Sequence, residues 1–233
     1  MNETSTNTET KTKSSPGPWP VAIALFVLVL VVAPFLVVGP FSLLRSDDPR
    51  ALIDDQQHEY LKDLRVPEFE LTAQDGTLVT ESYLEDRFTI VDFVFTNCTL
   101  ACPIMFSNLV PLHNELDAAP VRFLSISVDP DNDTPETLRA FADRMGIDTD
   151  RWTLAVGTRE TAESIIDSLK FTVYDDPGTQ IELDDGSTMD NIVHPTKALL
   201  IGPDRRVLGM YSALEHESVQ QLGRDVSRIT RTR

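Results

Sequence analysis

Between Val21 and Val38 the chain carries no polar side chain, and Trp19 and Phe41 flank the run. That is close to the roughly 20 apolar residues a membrane-crossing helix needs, so residues 19–41 are predicted to form a transmembrane anchor. A cleaved signal peptide would carry an apolar region of only about 7–15 residues and end at an Ala-x-Ala-like site. Here the run is longer and leaves through Val37-Val38-Gly39-Pro40. Residues 1–18 are rich in Thr, Ser, Asn and Glu without apolar periodicity and are predicted to be a disordered tail. Residues 42–62 read as a polar linker.

From residue 63 to 233 the pattern becomes that of one α/β domain. Phe69 to Ala73 and Leu78 to Thr80 flank Gln74-Asp75-Gly76-Thr77, which predicts a β-hairpin turning on Asp-Gly. Thr89 to Phe95 is almost continuously apolar, as expected of a strand buried on both faces. Met105, Leu109, Leu112 and Leu116 then recur at helical spacing, and Val121 to Val128 predicts a second buried strand. Thr134-Pro135 opens a helix that closes at Met145-Gly146. Strands are predicted over Trp152 to Val156, Phe171 to Tyr174, Thr196 to Ile201 and Arg206 to Tyr211. Helices are predicted over Glu160 to Leu169 and from about Glu215 onward. That order is thioredoxin-like, with the first hairpin as an N-terminal extension and the anchor helix before it.

Charge removes one class of partner. The chain has 20 Lys and Arg against 37 Asp and Glu, a net charge of -17, so nucleic acid is not an expected ligand. Such an acidic, lysine-poor composition also suits a high-salt environment, where screening suppresses self-repulsion. Lys11 and Lys13 before the apolar run are nearly balanced by Arg45 and Arg50 after it, so the charge rule barely orients the anchor.

The two cysteines, Cys98 and Cys102, stand where a buried strand passes into a helix. Helix N-termini stabilise thiolates, and the thiolate is the reactive and metal-binding form. Spacing of four brings both sulfurs to one side of the first turn, within reach of a disulfide or of a shared ion. Two thiolates suit a soft, low-coordinate ion such as copper(I), whereas a closed zinc site would want four ligands. A third ligand would have to be a histidine. His113 lies eleven residues past Cys102 on the same helix, roughly 16 Å along its axis, and cannot join the pair. His58 falls in the linker and His216 starts the last helix, where solvent exposure is the ordinary outcome. His194 precedes the apolar strand Ala198 to Ile201, in a loop that faces the cysteine helix in thioredoxin-like topology.

The stretch Asp92-Phe93-Val94-Phe95-Thr96-Asn97-Cys98-Thr99-Leu100-Ala101-Cys102-Pro103 resembles the signature of the Sco/SenC family of membrane-anchored copper chaperones. Phe69-Glu70-Leu71-Thr72 with Asp75-Gly76, Ser127-Val128-Asp129-Pro130 followed by Asp133-Thr134-Pro135, and Ile201-Gly202-Pro203-Asp204 extend the likeness from about Glu68 to the C-terminus. The resemblance implies a thioredoxin-like fold and one copper ion held by Cys98, Cys102 and His194. It further implies delivery to the dinuclear copper centre of cytochrome c oxidase subunit II or another extracytoplasmic cuproprotein, or reduction of that centre's thiols. Thr99 stands where the family usually has proline, and Val193 where an aspartate often precedes the histidine and could orient its imidazole. Asp129 and Asp133 match acidic positions of the family, although Asp133 or Thr134 could simply cap the next helix.

Three functions remain open on this reading. The first is a copper carrier without turnover of its own, on the outer face of a cell membrane. The second is a thiol:disulfide oxidoreductase in which Cys98 attacks and Cys102 resolves; there His194-Pro195-Thr196 would be a cis-proline loop. A peroxiredoxin-like peroxidase is disfavoured, because Phe95 occupies the place of the proline that its motif requires. Asp184-Asp185-Gly186 reads as a solvated turn.

Overall fold

A strand with no polar face has to be covered on both sides, and β3 (Phe88–Val94) is buried at all seven positions. In the computed structural model, which describes residues 58–183 and 186–231, it lies inside a seven-stranded sheet of order β2-β1-β5-β4-β3-β8-β9. Its parallel partner is β4 (Val121–Ser127), itself parallel to β5 (Trp152–Val156). On the other side β8 (Lys197–Ile201) runs antiparallel to β3 and pairs with β9 (Val207–Ser212). The hairpin of β1 (Glu70–Ala73) and β2 (Leu78–Thr80) extends the sheet from the outer edge of β5. Its Asp75 accepts from the Thr77 amide at 2.9 Å and hydroxyl at 2.7 Å, the local bonding expected of Asp at a turn.

Among the described residues five α-helices accompany the strands: α1 (His58–Leu61), α2 (Ala101–Glu115), α3 (Pro135–Met145), α4 (Arg159–Ser168) and α5 (His216–Thr230). Helix α5 packs on α2. Phe106 of α2 meets Phe141 of α3 edge-on at 5.3 Å and lies 5.5 Å from Trp152 of β5, so aromatic contacts tie the cysteine helix to its neighbours. Leu61 and Leu64 are buried, which carries the core back across the expected boundary at residue 63.

The capping chemistry is where the sequence placed it. Thr134 accepts from the Thr137 amide while the Thr137 hydroxyl takes the Thr134 amide, with Pro135 as the first helical residue. Gly146 ends α3 in the left-handed region at φ 70°. Thr134→Ala is expected to lower the unfolding free energy by about 1 kcal/mol, read from urea midpoints. An unchanged midpoint would refute the cap.

Two expectations need correction. Phe171–Val173 is not a strand; Phe171 and Val173 pack as irregular chain against the core. A strand begins instead at Tyr174, because the chain leaves the main sheet as a separate hairpin of β6 (Tyr174–Glu182) and β7 (Thr188–Val193). Only Ile181 and Ile192 of that hairpin are buried, so it carries no apolar alternation to recognise. The Asp184-Asp185 part of the predicted turn lies outside the described residues, while Gly186 sits at φ 81°. The predicted anchor over residues 19–41 also lies outside them, and among the described residues no helix is long and apolar enough to cross a membrane.

Candidate metal centre

The last carbonyl of β3, on Val94, accepts from the Val128 amide at 2.9 Å, and the Cys98 amide then closes a turn onto the Phe95 carbonyl at 3.1 Å. Helix α2 follows with Leu100 in its N-cap position, a side chain that cannot accept a hydrogen bond. Cys98 fills that role: its Sγ accepts from the Cys102 amide at 3.2 Å. Sulfur therefore sits on the electropositive end of the helix, where a thiolate is favoured. Cys102 points back under the turn, its Sγ 3.9 Å from the Phe95 carbonyl. Both thiols are free, and their residues are 7% and 0% exposed.

His194 enters from the segment between β7 and β8 and is 8% exposed. Its Nδ1 lies 3.2 Å from the Pro195 carbonyl, and the ring meets the Phe95 ring edge-on at 5.6 Å. With Val193 in place of an acid, the Pro195 carbonyl is the group that orients the imidazole. Nε2 is enclosed and makes no hydrogen bond. A ring nitrogen of His194 and the two sulfurs all lie within 4.8 Å of one another, and among the described residues this is the one such group of donors. A buried nitrogen without a partner beside two sulfurs is the donor set a soft cation fits.

The other histidines stay apart. His113 is buried against Phe123 and Trp152, with ring centroids at 5.0 and 5.3 Å, and burial lowers its pKa. It is a core residue. His216 is exposed on α5, its Nε2 3.0 Å from the Gln220 amide. His58 starts α1. Among the described residues no peptide bond is cis, so His194-Pro195 is not a cis-proline loop, which corrects that version of the oxidoreductase reading.

The two thiols are driven apart in acidity. The Cys102 thiol donates towards Cys98 and pulls the Cys98 pKa well down, with lesser help from His194 and the Cys102 and Leu100 amides, against the effect of burial. Cys102 is pushed well up, first by that same bond, then by burial and by repulsion from Cys98 and Asp92. One sulfur is thus poised as an anion and the other holds the proton.

Neither acidic candidate joins the donor group. Asp129 is bridged by the Asn132 amide at 3.0 and 2.9 Å, whereas Asp133 turns towards Thr96 and Ser127. Burial raises the Asp133 carboxyl to about 6. Asp92, in the middle of β3, escaped notice in the sequence because it interrupts an apolar run without breaking it. It is fully enclosed, with no full hydrogen bond to either oxygen, and burial lifts its pKa to about 7; the Ser125 hydroxyl opposite it on β4 gives only a weak interaction that offsets this in part.

A family model described as SCO1/SenC matches residues 57–231. The chain belongs to the SCO1/SenC family. Within the family, the SCO1 protein homolog of Bacillus subtilis is 32% identical over 165 residues, covering 69% of this chain and 80% of that protein. The solved structure of BsSco, a Sco-family cytochrome c oxidase assembly protein with a disulfide switch, superposes with a TM-score of 0.59 at 28% identity. It covers 73% of this chain and 96% of that one. Bradyrhizobium japonicum ScoI, solved with copper bound, superposes with a TM-score of 0.54 at 23% identity, over 71% of this chain and 99% of that one, and so shares the fold. The sheet-plus-hairpin arrangement described above is therefore the Sco form of the thioredoxin-like fold.

Proposed function

We propose that this chain is a copper(I) carrier that holds one ion between Cys98, Cys102 and His194 and hands it to a copper protein outside the cytoplasm. The observation that carries the reading is the convergence of two sulfurs and an imidazole nitrogen within 4.8 Å, all three residues buried. Three donors leave a copper(I) ion short of a closed shell, so an incoming thiolate can bind before a resident one leaves. Transfer is ligand exchange without electron flow: copper stays monovalent, the Cys102 sulfur regains its proton, and the ion departs on the acceptor's ligands. Membership of a family that includes a cytochrome c oxidase assembly protein supports the dinuclear copper centre of subunit II as the acceptor. The apolar run at residues 19–41 supports tethering to the membrane, with the domain on its outer face.

A competition titration of the full-length chain with a chromogenic copper(I) chelator tests this directly. One ion per chain is expected, with His194→Ala weakening binding by about a hundredfold through loss of one of three donors. An affinity indifferent to His194→Ala would remove the histidine from the site.

The split acidity of the pair favours a second use of the same atoms. The Cys98 thiolate can attack a partner disulfide, expelling one partner thiolate. Cys102, losing its proton, then attacks Cys98 Sγ, releasing the second partner thiolate and leaving Cys98 and Cys102 joined. Two electrons pass from this chain to the partner. The disulfide switch of BsSco supports this chemistry in the family.

A further inference from the structure

All three polar groups of Thr96, two residues before Cys98, are held by side chains from distant elements. Its amide donates to Asp133 Oδ1 and Oδ2 at 3.2 and 3.3 Å, and its hydroxyl donates to Asp133 Oδ1 at 2.5 Å. Its carbonyl accepts from Arg144 Nη2 at 3.2 Å. Asp133 is anchored in turn. The Ser127 hydroxyl at the end of β4 donates to Oδ2 at 2.5 Å, and the Asp133 amide donates to the Asp129 carbonyl at 2.8 Å.

Asp133 is 3% exposed. An ionisable group buried that deeply is costly unless its bonds do something for the fold or the site. It does not cap α3, because Thr134 and Thr137 complete that box between themselves. What it fixes is the turn between β3 and α2. Phe95, beside Thr96, touches all three donor residues: its carbonyl takes the Cys98 backbone amide and lies against the Cys102 sulfur, and its ring packs on the His194 ring. A shift at Thr96 would be felt at every ligand.

We propose that Asp133 and Arg144 are positioning residues for the metal centre: they clamp Thr96 from two sides and so hold the Phe95–Cys98 turn in the arrangement that keeps both sulfurs facing His194. The proposal rests on the copper reading for its affinity arm and on the cysteine pair alone for its redox arm. Freed from the clamp, the turn can relax, and the geometry that favours a shared ion over a disulfide is lost.

The test uses the full-length chain and three variants: Asp133→Ala, Asp133→Asn and Arg144→Met. Copper(I) affinity, the reduction potential of the Cys98–Cys102 disulfide and the thermal midpoint are measured on each. Asp133→Ala should weaken copper(I) about 10- to 100-fold, the usual effect of removing a supporting partner. Asp133→Asn should recover most of that, because its carbonyl oxygen still accepts from Thr96. Arg144 is exposed, so Arg144→Met should leave the midpoint unchanged while weakening copper about three- to tenfold, the worth of one hydrogen bond. The disulfide potential should move in both Asp133→Ala and Arg144→Met. If Asp133→Ala does not fold, Arg144→Met decides alone. Copper affinity and potential equal to the parent's, even with a lowered midpoint, would reduce the clamp to ordinary packing and overturn the proposal. If the parent chain binds no copper(I), the carrier function fails on its own, and the shift in potential still decides the clamp.

Discussion

Between pH 7.5 and 8.5, copper(I) is expected to bind about tenfold more tightly for each unit rise in pH, the linkage of a single released proton. Two cysteines of ordinary acidity would each lose a proton on binding, giving about a hundredfold per unit below their pKa. Here Cys98 is already a thiolate across that window, held as one by the Cys102 thiol, the helix amides and His194, so only Cys102 has a proton to give. The sign follows from Cys102 being pushed up: below its raised pKa, protons compete with the ion, and raising the pH relieves the competition. Cys102→Ser removes both the ligand and the proton. That variant should bind on the order of a thousandfold more weakly or worse, with an affinity nearly flat in pH. Chelator competition at three pH values gives the slope. A hundredfold per unit in the parent chain, or no slope at all, would mean that the two thiols are not split as the geometry indicates.

That split could be anticipated only in part from the sequence. The strand-to-helix turn was legible because its causes are local: an apolar run too uniform to have a wet face, then a helical repeat in Met105, Leu109 and Leu112. Thr134, Pro135 and Gly146 marked α3 for the same reason. His194 could be brought to the cysteines only through topology, since 92 residues separate it from Cys102 and no local pattern connects them. The clamp on Thr96 was out of reach, because Asp133 acts 37 residues away and sits next to a threonine that performs the capping expected of either. The β6–β7 hairpin was missed for the opposite reason. Pro177 and Gly178 lie within β6 and both faces are largely wet, so pairing is satisfied by backbone bonds that leave almost no trace in side-chain pattern.

Asp92→Asn is expected to stabilise the fold at pH 8 by on the order of 2–4 kcal/mol, a gain that disappears as the pH falls towards 4. The carboxyl sits in the centre of β3, opposite Ser125 of β4, with neither oxygen hydrogen-bonded, and burial lifts its pKa from 3.8 to about 7. The folded chain therefore holds that proton more tightly than the unfolded chain does. Stability from this group is fully present below about pH 3.8 and is lost as the pH rises through about 7, where the buried group must ionise. Three pKa units correspond to about 4 kcal/mol, and the asparagine returns part of it because its amide hydrogens also need acceptors. Ser125 Oγ already accepts from Trp152 Nε1 at 2.9 Å and has one lone pair left to offer. Urea unfolding of parent and variant at pH 5 and pH 8 isolates the effect, since every other titration cancels in the difference. A pH-independent difference would show that Asp92 gives up its proton as readily in the folded chain as in the unfolded one, so that burial does not raise its pKa. The same substitution reaches the metal centre, because Asp92 is one of the charges that push the Cys102 thiol up. With that repulsion gone, Cys102 should ionise more readily, and the pH range over which copper(I) binding tightens should move downward.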